Sequence, residues 1–248
     1  MRRVLLGTAL AAAVACGGSG RERVLLVTTT TVESSGLLET LVEAYQASQD
    51  RYRLSVTAVG SGAALEIGRR GDADLLLTHD PTGEARFMAE GYGTEQGPVM
   101  RNQFVVAGPG EDPAGVRAVA DLAAALARIA ATESPFISRG DESGTHRKEA
   151  ELWRRAGLEP MRARPAWYVE SGSGMGETLR IADQRGAYIL TDRGTFRHLA
   201  GGLRLELLAR GDPPEANPYR YTVPRDPPNP AGARDLKEWL LGPGQDVI

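Results

Sequence analysis

Four short segments rich in Ser, Thr and Gly each follow an apolar stretch typical of a strand and precede a segment typical of a helix; they are residues 28–31, 60–62, 138–145 and 171–176. Strands that alternate with helices pair in parallel, so this order predicts an α/β fold. A helix exposes its first backbone N–H groups and the positive end of its dipole at its N-terminus. The chain is therefore expected to direct four such turns at one small anion.

The same alternation sets the expected elements along the chain. Apolar runs and period-2 patterns predict strands at 24–27, 54–59, 74–78, 103–107, 135–138, 166–170, 187–191, 203–208 and 219–223. Helical spacing predicts helices at 37–45, 63–70, 84–90, 119–131, 145–156, 175–184 and 231–241. Two of the donor-rich turns lie in the first third of the chain and two in the middle, which indicates two α/β lobes that face each other across a cleft.

The charge balance excludes one class of partner. The chain has 248 residues and a formal net charge of −3, and its basic residues neither dominate nor form a strong cluster. A nucleic-acid surface is therefore not indicated. A protein that binds a small anion does not have to be basic overall, because local dipoles and one buried cation suffice.

The N-terminus is typical of a targeting segment. Arg2 and Arg3 precede an apolar stretch at 4–14 that is too short to span a bilayer. Residues 13–16 resemble a bacterial lipobox and predict lipidation at Cys16, although Leu is usual where Ala13 stands. Cleavage of an ordinary signal peptide nearby is the alternative. Residues 1–23 are assigned to the signal and a tether, and we expect an exported protein in the periplasm or anchored at the outer face of the membrane.

Arg139 is the predicted cation of the site, because a guanidinium offers five donors in a fixed fork that matches an oxyanion. The alternative is a surface arginine paired with Asp141 or Glu142; on the first interpretation Asp141 orients Arg139. The other candidate ligands could equally be plain helix caps or strand-end residues. They are the hydroxyls of Thr30, Thr31 and Ser61, the Ser143-Gly144-Thr145 turn, and the backbone N–H groups at Gly174 and Met175.

Other chemistries find little support in the sequence. The three histidines, His79, His146 and His198, are isolated, and no spacing of His, Cys and carboxylates is typical of a metal site. A Ser hydrolase using Ser61 or Ser143 with His146 would need the Gly-x-Ser-x-Gly elbow, which the sequence lacks. Walker A and Gly-x-Gly-x-x-Gly motifs are also absent. No catalytic residue, metal or cofactor is therefore expected.

A series of blocks, in order over nearly all of the chain after the targeting segment, carries a family resemblance. They are TTTT at 28–31, GLL at 36–38, AVGSGAAL at 58–65, GDAD at 71–74, EGYG at 90–93, SRGDESGTH at 138–146, GSGMG at 172–176, LTDRGT at 190–195 and NPY at 217–219. On these blocks the chain resembles the TupA-type tungstate-binding proteins of ABC transporters. One departure is Thr31, where Ser is common in the family; its extra methyl group would narrow the pocket.

The resemblance implies a type II periplasmic-binding fold, with two α/β lobes, a ligand cleft and two crossover strands. It places residues 24–103 and 196–248 in the first lobe and residues 104–195 in the second. It also implies a monomer that captures tungstate, catalyses nothing, and delivers its ligand to an ABC permease in the membrane.

The residues alone leave the identity of the anion open. Tungstate and molybdate are tetrahedral dianions of nearly equal size and carry no proton near neutral pH, so only the resemblance favours tungstate. Sulfate is smaller. Phosphate additionally needs an acceptor for its proton, for which Asp80 is the obvious nearby candidate. A surface-anchored sensory or adhesion module remains an alternative from another class.

Overall fold

The computed structural model of the chain describes residues 20–211 and 216–248. Its strands are β1 (Glu22–Thr29), β2 (Tyr52–Val59), β3 (Leu75–Thr78), β4 (Gly93–Gly108), β5 (Phe136–Ser138), β6 (Tyr168–Glu170), β7 (Ile189–Asp192), β8 (Glu206–Ala209) and β9 (Ala216–Pro224). Its helices are α1 (Thr30–Ser34), α2 (Leu37–Ser48), α3 (Ser61–Arg69), α4 (Pro81–Ala89), α5 (Leu122–Ala131), α6 (Gly144–Arg155), α7 (Pro160–Ala163), α8 (Met175–Arg185), α9 (Arg193–Leu199) and α10 (Pro230–Leu241).

The first lobe is built on a sheet with the order β2-β1-β3-β9-β4. β1 pairs in parallel with β2 and β3, whereas β9 runs antiparallel to β3 and β4. Apolar side chains of β1, β2 and β3 alternate between two separate cores. One core contains Tyr45 of α2 and Trp239 of α10, and the other contains Leu65 of α3 and Phe87 of α4. The helices therefore cover both faces of the sheet, as in other α/β folds.

The second lobe contains the end of β4, which pairs antiparallel with β7 and β8, and the parallel pair β5-β6. A parallel bridge between Phe136 and Tyr188 links the two groups of strands. Its larger core contains Leu126 of α5 and Trp153 of α6, and a smaller one contains Leu179 of α8. α6 follows β5 and α8 follows β6, so both helices begin at the carboxyl ends of these strands, where α/β folds bind their ligands.

One continuous strand connects the lobes. The first part of β4 pairs with β9 as far as Gln103, and Phe104 then pairs with Asp192 of β7. β8 pairs with the second-lobe end of β4, whereas β9 pairs with its first-lobe part. The predicted α/β fold of two lobes is confirmed by this arrangement. Among the described residues, no helix has the length and apolar character needed to cross a bilayer.

Two stretches pack differently from the sequence-based assignment. Phe196 and Leu205 lie in a core with residues of α8 and β7, and Leu208 packs in a core with Phe104. Residues 196–209 thus belong with the second lobe on their packing, whereas the sequence placed them in the first. At the other end, Glu22 and Arg23 of the expected tether are already part of β1, paired with β2. Cys16 and most of the predicted targeting segment lie outside the described residues.

Candidate anion-binding site

Arg139 follows β5 and extends across the cleft between the lobes. Its side chain is 1% exposed. Nε donates to the backbone oxygen of Ser173 at 3.1 Å, and Nη2 donates to Asp141 and lies 3.4 Å from the hydroxyl of Thr30. Nη1 has no hydrogen-bond partner among the described residues. A buried cation with an unused donor is therefore present where the first lobe meets the second.

Asp141 holds Arg139 in place. One carboxylate oxygen accepts from the guanidinium, and the other accepts from the backbone N–H of Ser143 at 3.2 Å. The burial of Arg139 is incompatible with the alternative interpretation as a surface arginine, although its pairing with Asp141 does occur. Because both oxygens of Asp141 are engaged, the geometry matches an orienting role for this carboxylate.

Three hydroxyl groups at the starts of helices are buried without a hydrogen-bond partner in the described part of the chain, and one of them belongs to Thr29, the N-cap of α1. Ser61 is the first residue of α3, and Thr145 is the second residue of α6. Both side chains are fully buried, and neither hydroxyl is hydrogen-bonded. A buried hydroxyl without a partner costs free energy, so this arrangement favours a polar ligand.

Glycines let the two lobes approach closely near this point. A Cβ atom on Gly144, at the start of α6, would lie 3.1 Å from the backbone oxygen of His79 in the first lobe. A Cβ atom on Gly174, the N-cap of α8, would lie 3.8 Å from Cβ of Thr30. Met175 follows with its side chain in the apolar core of the second lobe, so only its backbone is available to a ligand.

Ser143 is the N-cap of α6, and its hydroxyl accepts from the backbone N–H of His146 at 3.3 Å. The imidazole of His146 is turned elsewhere, and its Nδ1 accepts from the backbone N–H of Glu142 at 3.0 Å. Ser143 and His146 therefore do not form a nucleophile–base pair. Ser143 does cap α6, and the neighbouring N–H groups of the helix start have no intrahelical partner.

The threonine run is divided between two surroundings. Thr30 lies beside Arg139, but Thr31 lines a separate groove with Arg193, and its backbone oxygen accepts from the hydroxyl of Thr195 at 3.3 Å. Thr29 was not predicted as a site residue, yet its buried side chain lies next to the phenol of Tyr219. Four consecutive threonines give no sequence signal for which of them faces the cleft.

His79, Asn217 and Tyr219 form a buried layer beside the site. This layer was not predicted from the sequence. Nδ1 of His79 donates to Asn217 at 2.7 Å, and the His79 ring stacks on Tyr219 with the centroids 4.6 Å apart. Burial lowers the pKa of His79 to about 4, and the positive charges of Arg139 and Arg147 act in the same direction. The imidazole is thus neutral near pH 7 and adds no positive charge beside Arg139.

Glu149 lies behind Arg139 on α6, and its carboxyl group is fully buried. It accepts hydrogen bonds from Tyr168 at 2.8 Å, Ser138 at 2.9 Å and Trp153 at 3.2 Å. Burial raises the pKa of Glu149 to about 7, although these hydrogen bonds oppose that effect. The group fixes the strand end that carries Arg139 and holds a proton over much of the acidic range.

Hydrogen bonds connect β4, β7 and α1 at the hinge, which is the point where β4 passes from the first lobe to the second. Asp192 caps α9, where it accepts from the backbone N–H of Thr195 at 2.9 Å and from the amide of Asn102 at 2.6 Å. Burial raises the pKa of Asp192 above its usual range. Through the Thr195 hydroxyl the same helix is tied to the first lobe. These bonds fix the relative position of the lobes in this structure.

The arrangement suits an anion better than a metal ion. No group of three or more His, Cys, Asp and Glu side chains that could hold a metal occurs among residues 20–211 and 216–248. The structure brings Arg139, Thr30 and the start of α8 into contact, and it places the start of α6 against the first lobe. Thr31 also lines the groove that contains Arg193. Which of these groups contact a ligand stays a prediction.

Comparison with known proteins agrees with this geometry. The model of the PBP superfamily domain matches residues 15–243 of the chain. The tungstate-binding protein TupA of Peptoclostridium acidaminophilum is 38% identical over 225 residues, which cover 88% of this chain and 77% of that protein.

Two solved structures are similar over most of their length. The structure of the tungstate ABC transporter from Geobacter sulfurreducens has 39% sequence identity and a TM-score of 0.80, and the match covers 92% of this chain and 97% of that one. The tungstate-binding protein TupA from Desulfovibrio alaskensis G20 has 36% identity and a TM-score of 0.71, with 90% and 92% of the two chains covered.

Proposed function

Because this chain belongs to the PBP superfamily and, within it, to the TupA family of tungstate-binding proteins, we propose that it captures tungstate between its two lobes for an ABC importer. The tungstate would pass from the cleft to a permease in the membrane. A binding role needs no catalytic group, and we assign none. The oxyanion is the cargo of this protein, and we propose that no further cofactor takes part.

The buried Arg139, with its unused Nη1 donor, is the observation that carries this proposal. Charge-assisted hydrogen bonds to an oxyanion are strong, and Nη1 has no other hydrogen-bond partner in the described part of the chain. The hydroxyls of Ser61 and Thr145 are buried and equally unsatisfied. An unprotonated tetrahedral dianion offers hydrogen-bond acceptors on every side. It would accept from Nη1 of Arg139 and from both hydroxyls, and it has no proton that the protein would have to accept.

Helix dipoles supply the remaining favourable charge. α3, α6 and α8 each have at least eight residues and begin at the cleft, at Ser61, Gly144 and Met175. Their first N–H groups have no intrahelical partner, and the dipoles favour an anion. We propose Thr30, Ser61, Arg139, Thr145 and the N–H groups of the Gly144 and Met175 turns as ligands. Preference for tungstate over molybdate follows from the relatives and not from these groups.

The cellular setting belongs to the same proposal. An importer receives its ligand outside the cytoplasmic membrane, so we propose an exported protein that acts in the periplasm or at the outer face of this membrane. Lipidation of Cys16 would hold it there, and a monomer is sufficient because both halves of the cleft come from one chain.

Calorimetric titration of the purified protein with tungstate, molybdate, sulfate and phosphate tests the proposal. We expect saturable binding of tungstate and molybdate. In Arg139→Gln the affinity should fall about 100-fold, because truncating one partner of a buried charge pair costs about 3 kcal/mol. Arg162→Gln is the matched control, since this side chain is 89% exposed on α7. A tight response to phosphate alone, or an unchanged Kd in Arg139→Gln, would overturn the proposal.

A further inference from the structure

Asp80, at the start of α4, is a buried carboxylate that lines the cleft beside the candidate site. Its side chain is 6% exposed. One oxygen accepts from the backbone N–H of Gly83 at 3.2 Å, which caps α4. The other forms an ion pair with Nη1 of Arg147, which belongs to α6 of the second lobe. Both oxygens of Asp80 are thus engaged, one of them by a cation from across the cleft.

Arg147 reaches Asp80 through a gap between two helix starts of the first lobe. A Cβ atom on Gly62 of α3 would lie 3.1 Å from Nη2 of Arg147, so the glycine leaves the space that the guanidinium fills. The positive charge of Arg147 also lowers the pKa of the adjacent His79. The groove that contains Asp80 and Arg147 is also lined by Gly144, the first residue of α6. The Asp80–Arg147 pair therefore lies next to the turn that follows Arg139.

A carboxylate in this position has a chemical consequence for the choice of anion. Hydrogen phosphate carries a proton that must be donated to an acceptor when the ion is buried, whereas tungstate is unprotonated and only accepts. An unpaired buried donor costs about 1–3 kcal/mol, which corresponds to about 5- to 150-fold in affinity. A free carboxylate in the cleft would remove that cost for phosphate and would repel a dianion that lacks a proton.

We propose that Arg147 is a specificity-determining residue: by pairing with Asp80 it occupies the cleft carboxylate that a protonated oxyanion would need, and so selects for unprotonated dianions. This inference rests on the proposed function of the same site. Arg147 acts on the anion through Asp80 and does not have to touch it. The pair joins α6 of the second lobe to the start of α4 in the first, so the filter is built from both lobes.

The test is the ratio of the Kd for phosphate to the Kd for tungstate, measured by calorimetry at mildly alkaline pH. In Arg147→Gln this ratio should fall about tenfold or more, because Asp80 becomes free to accept the phosphate proton. The double variant Arg147→Gln with Asp80→Asn should return the ratio towards the wild-type value. Arg147→Met, which keeps most of the length of the side chain, replaces the Gln variant should that protein fail to fold.

Arg86→Gln is the matched control, because Arg86 lines the same groove with the same charge but pairs with Glu90. Its ratio should equal that of the wild type. An unchanged ratio in Arg147→Gln, or an equal change in Arg86→Gln, would overturn the inference while leaving tungstate binding intact. Absence of tungstate binding by the wild-type protein would instead overturn both this inference and the proposed function.

Discussion

Replacing Glu149 with Gln is expected to stabilise the protein at about pH 8 and to change its stability much less at about pH 5. Burial of the carboxyl group raises the pKa of Glu149 from 4.5 to about 7. The folded state therefore binds this proton more tightly than the unfolded state does. The stability linked to the protonated group is fully present below about pH 4.5 and is lost as the pH rises through about 7.

The size of the effect follows from these two pKa values. At about 1.4 kcal/mol per pH unit, the interval between them corresponds to about 3 kcal/mol of destabilisation at pH 8 and to about 1 kcal/mol at pH 5. A Gln side chain has no charge to desolvate. Its oxygen can accept from Tyr168 and Trp153, as the Glu149 oxygen Oε1 does now, and its amide can donate to the Ser138 hydroxyl.

Urea unfolding of both proteins without oxyanion, at the two pH values, measures the difference in free energy of unfolding. The advantage of Glu149→Gln should be about 2 kcal/mol larger at pH 8 than at pH 5. Glu151→Gln on the same helix is the control, because its side chain is 47% exposed and paired with Lys148. An equal difference at both pH values, or a Gln variant that is less stable at pH 8, would refute the reasoning.

Two further predictions concern a buried base and a glycine. Burial lowers the pKa of His79 to about 4, so the stability linked to the neutral imidazole is present above about pH 6.5 and is lost as the pH falls. Acidification from pH 7 to 5 should therefore lower the free energy of unfolding of the wild type by about 2 kcal/mol more than that of His79→Gln, as measured by urea unfolding. Gly36 has a φ of +75° and a Cβ there would overlap the His198 ring, so Gly36→Ala should lose about 1–2 kcal/mol and several degrees of Tm. Gly201→Ala, with open space around it, should show little change, and equal shifts in the two glycine variants would contradict this reasoning.

Local signals located most of the helices that form the site. The helix predicted at 145–156 is α6, Gly144–Arg155, and the helix at 175–184 is α8. Ser and Gly residues clearly indicate the starts of these helices, because the chain must turn sharply there. Only part of β4 was predicted: the expected strand covered 103–107, whereas the observed strand begins at Gly93. Gly97 and Pro98 disfavour a strand locally, and long-range pairing with β9 overrides them, with a register shift next to Pro98.

Contacts between residues that are far apart in the chain could not be predicted from the sequence. His79, Asn217 and Tyr219 form one layer beside Arg139, but Asn217 and Tyr219 follow His79 by more than a hundred residues. The short helices α1 and α9 were not predicted either, because five and seven residues carry little periodic signal. Their places are set by the hinge contacts of Thr31, Thr195 and Asp192.

A chain with a net charge of −3 can hold a dianion because carboxyl groups around the cleft are paired with arginines or have a raised pKa. Asp141 is paired with Arg139, and Asp80 is paired with Arg147. Burial raises the pKa of both Glu149 and Asp192, which weakens the tendency of these two deeper groups to carry negative charge. The field that remains at the cleft comes from Arg139, whose Nη1 has no hydrogen-bond partner among the described residues, and from the helix dipoles, and both attract an anion. Selectivity and charge balance therefore depend on the same few ion pairs, so a substitution that releases one of these carboxylates should change which anion binds before it changes whether the protein folds.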